Sequence, residues 1–258
     1  MGTQSTIAGI PVYVISLKDS EIRRRNMTER LGALGIPFRF VDAIDGRTQR
    51  LPDVFDGARV DRSGFWGESA LACAMSHRKV HGMIAEGASN LALVFEDDAR
   101  LSEDFGGVLD AAEPFDFDVF KLEGGRLGRC VKVGTIRQRY SVVIGSAPSM
   151  GAAAYLLTRT AAQRLCALPV LDQMADEAFG DPRLAFKVLE LDPFAVTQDQ
   201  ETPTMVNLQS YGPPPRQFRR SSVGKLVHSL RKRVRLVRAH GPRIAMAIEM
   251  QRLTGNTR

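Results

Sequence analysis

Three consecutive acids, Glu96-Asp97-Asp98, close the apolar run Leu91-Ala-Leu-Val-Phe95. Carboxylates are hard oxygen donors, and several at one strand end can hold Mg2+ or Mn2+ against a diphosphate. Side chains alternate along an extended chain, so Glu96 and Asp98 are expected to face one way and Asp97 the other. One face could then reach a metal while the other meets a ribose or an N-terminal amide. The same acids could equally cap the turn that follows. No rival catalytic motif is spelled out, since the chain lacks GxxxxGK[ST], HExxH, GxSxG and GxGxxG. His77 lies on an amphipathic stretch, where a lone histidine serves either as a packed structural residue or as an acid or base.

The elements that must position these residues follow from periodicity. Val12-Tyr-Val-Ile-Ser16 reads as a strand; Met27, Leu31 and Leu34 then recur at helical spacing, with Ser20 as N-cap and Gly35 at C′. Phe38 to Asp42 is a second strand. Residues 45–67 look irregular, and Leu71, Met75, Val80 and Ile84 predict a helix over Glu68 to Glu86. Strands are expected at Val119 to Leu122, Ala153 to Leu157 and Val188 to Leu191, and helices at Ala161 to Leu168 and Asp172 to Phe179. The alternation predicts an α/β fold with a largely parallel sheet. In such sheets ligands bind beyond the strands' carboxyl ends, where Ser16, Asp42 and the acidic triplet fall.

The 258 residues are 44% hydrophobic and 25% charged, which supports a sizeable core and excludes disorder, collagen and coiled coil. No apolar run approaches the ~20 residues that span a bilayer, and no charged-then-apolar leader opens the chain, so a cytoplasmic protein is expected. Cys73, Cys130 and Cys166 lie far apart without a CxxC pair, which suggests neither a disulfide framework nor a zinc site. The net charge of +6 is unevenly spread: residues 216–258 carry 12 Lys and Arg against one acid, Glu249, so the preceding body is net acidic. Gly212-Pro-Pro-Pro215 reads as a stiff linker, giving a catalytic domain over 1–211 and a basic tail over 212–258. Within the tail, Val223, Val227, Leu230, Val234 and Val237 recur among Lys225, Arg231, Lys232, Arg233, Arg235 and Arg238. This basic amphipathic helix could lie on an anionic membrane surface or pack on the domain with its charges solvated; nucleic acid is the least favoured partner.

Several segments keep a common order between about residues 10 and 200. They are Val12-Tyr-Val-Ile-Ser-Leu17 with Ser20 and Arg23-Arg24, Val41-Asp-Ala-Ile-Asp-Gly46, Gly67-Glu68, Ala72-Cys-Ala-Met-Ser-His77, Leu93-Val-Phe-Glu-Asp-Asp98, Gly151-Ala-Ala-Ala-Tyr155 with Ala161, and Pro169-Val-Leu-Asp172. Together they resemble glycosyltransferase family 25, which includes lipooligosaccharide and collagen galactosyltransferases. The chain departs from the family's pattern in having Ser16-Leu17 where Asn-Leu is frequent, and in Leu171, which separates Val170 from Asp172.

The resemblance implies a GT-A-like, Rossmann-related single domain with a mostly parallel mixed sheet. It also implies metal-dependent, inverting transfer from a UDP-sugar, expected to be UDP-galactose, to a lipopolysaccharide or other cell-surface glycan. Glu96 and Asp98 would hold Mn2+ or Mg2+, and the donor would meet Ser16, Leu17, Arg23, Asp45, Gly46, Glu68, Ser76, His77, Asp97 and Tyr155. Arg23 could fork onto phosphate or pair with an acid; Tyr155 could stack on a ring or fill the core. Inversion needs a carboxylate to take the acceptor's proton, and Asp172, Asp176 and Glu177 are the candidates in that order, on a helix start where acids also stabilise the dipole. A lipid-linked acceptor would place the protein at the inner face of the membrane. Rival readings are a nucleotidyltransferase using the same acids and a non-catalytic membrane- or nucleic-acid-binding protein.

Overall fold

The computed structural model describes residues 9–47, 50–125, 127–199 and 222–254, the last segment with side chains for 229–251. The Gly212-Pro-Pro-Pro215 linker lies outside these residues.

In chain order the elements are β1 (Val12–Ser16), α1 (Glu21–Ala33), β2 (Arg39–Asp42), β3 (Val54–Phe55), β4 (Ala58–Val60), α2 (Glu68–Glu86), β5 (Leu91–Glu96), β6 (Ala99–Leu101), α3 (Phe105–Asp110) and β7 (Val119–Lys121). They continue with β8 (Cys130–Ile136), β9 (Tyr140–Gly145), β10 (Ala154–Thr158), α4 (Arg159–Cys166), β11 (Val170–Leu171), α5 (Ala175–Phe179), β12 (Val188–Asp192), β13 (Val196–Gln198) and α6 (Ser222–Thr254). The fold is α/β, built on an eight-stranded mixed sheet in the order β2-β1-β5-β10-β7-β12-β9-β8. Pairing is parallel for β1–β2, β1–β5 and β7–β12 and antiparallel elsewhere, so β9 and β10 run against the other six.

The pleat explains why β1 and β5 are buried throughout. Val12, Val14, Leu93 and Phe95 point into one core, with Met27 and Leu31 of α1 and Phe105 of α3. Tyr13, Ile15, Ala92 and Val94 point into a second core on the opposite face, with Val80 and Ile84 of α2 and Ala161 and Leu165 of α4. Helix α1 stops where its sequence says it should: Gly35 takes φ +64, its N–H reaches Gly32 O and Ile36 N–H reaches Leu31 O, a Schellman closure. Ser20 holds the N-cap position without a side-chain capping bond.

One expectation is corrected, and two hairpins go beyond what the sequence reading named. The helix expected from Asp172 begins only at Ala175; Val170 and Leu171 instead pair with β4, and Asp172 sits between strand and helix. The irregular stretch 45–67 contains the β3–β4 hairpin, turned by Asp56 and Gly57 at φ 47 and 71. Residues 130–145 form the β8–β9 hairpin at one sheet edge, which periodicity did not reveal.

Candidate functional site

The carboxyl ends of β1, β2, β5 and β7 share one edge of the sheet, and the start of α2 leans over it. Between them opens a cleft lined by Ser16 and Leu17, by Ser20 and Arg23, by the 43–47 loop, by Ser69, Ala72, Cys73, Ser76 and His77 of α2, and by Glu96 and Asp97.

The alternation separates Glu96 from Asp97 but not Asp97 from Asp98, because β5 ends at Glu96 and the two aspartates follow in a turn beside Arg23. Asp97 faces α1, where Oδ2 accepts from Ser16 Oγ at 2.6 Å and Oδ1 from Arg23 Nη1 at 2.8 Å. Glu96 faces α2 and accepts from His77 Nε2 at 2.9 Å. Asp98 lies 3.8 Å from Arg23 Nη1 through Oδ2, while its Oδ1 is buried without a partner. Burial pushes the Asp98 carboxyl up to about 7; the nearby Glu96 charge adds to the shift and Arg23 opposes it. Arg23 is itself incompletely satisfied, with Nε and Nη2 buried and unpartnered. An anion entering beside Arg23 and a cation beside Asp98 would each meet a polar atom that the fold leaves unpaired.

His77 continues inward. Its Nδ1 lies 2.9 Å from Tyr155 Oη, which lies 2.9 Å from His81 Nε2. Assigning the donors as His81 Nε2–H to Tyr155, Tyr155 O–H to His77 Nδ1 and His77 Nε2–H to Glu96 satisfies every link. Burial holds His81 well below the usual histidine range and the Tyr155 phenol well above its own. Tyr155 is fully buried against Phe179, where its hydroxyl supports His77, a core position.

One cluster of possible metal ligands stands among the described residues. Cys73, His77 and Glu96 bring their ligand atoms within 4.8 Å of one another. Both His77 nitrogens are already hydrogen-bonded, and burial pushes the Cys73 thiol up, away from the thiolate that binds metal. Asp98 Oδ1, buried and bare, is a hard oxygen of the kind that Mg2+ or Mn2+ accepts, and the Glu96 charge lies near enough to raise the Asp98 pKa.

The remaining expected residues fall in distinct places. Asp45 is clamped by Arg47 Nε at 2.8 Å and Nη2 at 2.6 Å, and those bonds hold its carboxyl below the usual range. Gly46 approaches α2 so closely that a Cβ would stand 2.7 Å from Glu68 O. Ser76 fastens the same loop, donating to Ala72 O and accepting from Ile44 N. The Glu68 side chain turns away to Arg62 at 2.6 Å and does not line the cleft. Asp176 accepts from Gly151 N at 2.7 Å and from Glu177 N at 3.0 Å. Glu177 accepts from Met174 N, and burial raises its pKa. Asp172 turns to Arg183 at 3.4 Å and lines a separate small cavity under α2.

Sequence reasoning missed Glu123, just beyond β7. It is 5% exposed, and Oε2 accepts from Ala153 N at 3.0 Å. Burial pushes its carboxyl up to about 7, Glu96 and Asp176 adding to the shift. Its signal was weaker than the triplet's: a short strand interrupted by Lys121 and followed by a single acid. Behind it the fully buried Lys121 donates to Ser149 O and Oγ, and Ser149 N and Oγ donate to the equally buried Glu190. The loop 146–151 is thus held from both ends, next to Glu123 and Asp176.

Residues 9–174 match the family described as "Glycosyltransferase family 25 (LPS biosynthesis protein)". A Haemophilus influenzae (strain ATCC 51907 / DSM 11121 / KW20 / Rd) protein named "Putative glycosyltransferase" is 29% identical over 202 residues, covering 72% of this chain and 70% of that one. The family match spans well over half of the chain and takes in the cleft, the triplet and α2, and the chain accordingly belongs to glycosyltransferase family 25.

Proposed function

We propose that this glycosyltransferase moves galactose from UDP-galactose, with inversion, onto a lipopolysaccharide or lipooligosaccharide acceptor at the inner face of the membrane. The observation that carries the reading is the pairing of opposite vacancies at one sheet edge: two bare guanidinium nitrogens on Arg23 and one bare carboxylate oxygen on Asp98. A nucleotide diphosphate together with a divalent cation satisfies both. Arg23 receives phosphate oxygens, and Asp97 and Ser16 fix its guanidinium in place. The 43–47 loop, pressed on α2 by Gly46 and Ser76, forms the wall for the nucleoside. Glu96 and Asp98 would hold Mn2+ or Mg2+, which supplies charge neutralisation for the departing diphosphate.

Glu123 takes the proton in this reading. Asp172 is turned to Arg183, and both Asp176 oxygens accept backbone N–H bonds, whereas only Oε2 of Glu123 receives a hydrogen bond among the described residues. The acceptor O–H oxygen attacks the anomeric carbon, the bond from that carbon to the diphosphate oxygen breaks, and UDP leaves with the electron pair. The hydroxyl proton passes to the Glu123 carboxylate.

The test is a calorimetric titration with UDP-galactose, UDP-glucose and UDP-N-acetyl sugars, with and without Mn2+, followed by product analysis. Mn2+-dependent binding of UDP-galactose and release of UDP are expected, with the metal dependence lost in Asp98→Ala. Release of pyrophosphate would identify a nucleotidyltransferase instead. Failure of a folded protein to bind any of these donors would overturn the reading.

A further inference from the structure

Helix α6 is not one rod. Gly241 takes φ 82 and ψ 166, Pro242 follows, and Arg233 Nη2 meets Glu249 Oε2 at 3.0 Å. Those two residues stand 16 positions apart, which a continuous helix would hold about 24 Å apart, so the arms on either side of Gly241 fold back on each other.

The first arm packs on the sheet domain through Arg235, Leu236 and Ala239, each less than 9% exposed. Advancing ~100° per residue, these three occupy one side of the arm. Leu230, Val234 and Val237 fall on the opposite side within an arc of about 60°, and they are 59%, 41% and 45% exposed. The stripe expected to be the apolar face of the tail is therefore turned outward, and a different set of residues makes the fold. Exposed Arg231 and Arg238 border the stripe on one side and exposed Arg233 on the other. Met246, 65% exposed, adds an apolar side chain on the second arm.

We infer that this outer face of α6 is a docking surface for an anionic lipid bilayer, with Leu230, Val234 and Val237 entering the acyl boundary and Arg231 and Arg238 meeting lipid phosphates. An apolar stripe with arginines on both borders has the chemistry of an interfacial helix. A second copy of the chain is the poorer occupant, because stripe-to-stripe packing would bring like charges together along both borders. The bases of 216–258 add long-range attraction to an acidic surface. The inference goes beyond the catalytic reading and does not depend on which sugar moves.

The experiment is sedimentation of the full chain with vesicles of phosphatidylcholine alone and of phosphatidylcholine mixed with phosphatidylglycerol. The expected result is binding to the mixed vesicles only, weakening as salt is raised. Leu230→Ser/Val234→Ser/Val237→Ser should bind about tenfold or more weakly, and Arg231→Glu/Arg238→Glu should bind weakly and lose salt sensitivity. The substituted positions are exposed, so circular dichroism and melting should match the parent and separate lost docking from lost folding. Wild-type protein that stays in solution, or a triple-serine variant that binds as the parent does, would overturn the inference. A triple-serine variant that converts a lipid-free dimer into a monomer would assign the face to a second copy and overturn it equally.

Discussion

At the scale of single residues, the alternation rule was enough to separate Glu96 from Asp97, because β5 keeps its pleat to its last residue. What could not be read were relationships between distant positions. His77 and His81 are spaced i, i+4 on α2, yet only the fold shows that both reach Tyr155. Glu123 was hidden because it stands alone after a strand containing Lys121, and an acid's worth depends on neighbours that sequence does not supply. Its burial has a pH consequence of definite sign. The unfolded chain ionises this carboxyl near its ordinary value of 4.5, while the folded chain keeps the proton up to about 7. Between those values the folded state binds the extra proton, so this group's contribution to stability falls as pH rises and is level above 7. Glu123→Gln should remove a decline of order 1–3 kcal/mol, visible in urea unfolding at pH 5 and pH 8. The same variant should leave UDP-sugar affinity nearly unchanged and lower turnover by ~100-fold. Wild-type turnover should rise through pH 7 as Glu123 and Asp98 lose their protons, and the variant should keep only the shallower limb that Asp98 gives.

At the scale of elements, the buried strands, α1 and α2 were legible because the strands are short unbroken apolar runs, the helices space their core residues three or four apart, and their ends carry acids or glycine. The β8–β9 hairpin was not. Its outer strand alternates poorly, being half-buried or exposed until Ile136, and its turn places Arg137 and Gln138 at φ 49 and 58, where Gly or Asn would have announced it. The helix expected from Asp172 failed for a related reason: Val170 and Leu171 find a strand partner in β4, a tertiary pairing that local pattern does not encode. The loop leading into β10 supplies the element-scale prediction. Gly151 adopts φ +101, and a Cβ there would stand 2.7 and 2.8 Å from the Glu123 carboxylate oxygens. Gly151→Ala should cost about 1–3 kcal/mol in backbone strain and push Glu123 aside. Because the donor cleft is built from β1, α1 and the 43–47 loop, UDP-sugar affinity should persist while turnover falls. Equal losses in both would show that the two halves of the site are not independent.

At the scale of the whole molecule, charge distribution sets residues 216–258 apart from the acidic body, but it does not say which face of the tail helix packs on that body. The hydrophobic period picked out Leu230, Val234 and Val237, which stay exposed, while Leu236, Ala245 and Ile248, outside that stripe, enter the same core that holds Phe95, Phe120 and Leu191. Gln251 also donates to Cys130 O, and Arg235, 2% exposed, donates to Ser146 O near the buried Glu190. The tail is thus joined to the far side of the sheet and to the loop that approaches Glu123. Ending the chain at residue 215 would uncover this part of the core, and at ~1.5–3 kcal/mol for each large apolar side chain the loss should reach about 5 kcal/mol. Thermal melting of the shortened chain should therefore show a clear drop, together with exposed apolar surface detectable by dye binding. The triple-serine variant, which changes only the outer face, should melt as the parent does. If the shortened chain instead kept the parent's melting temperature, the contacts of Leu236 and Ile248 would be dispensable to the fold, and the tail would be an appendage in fact as well as in charge.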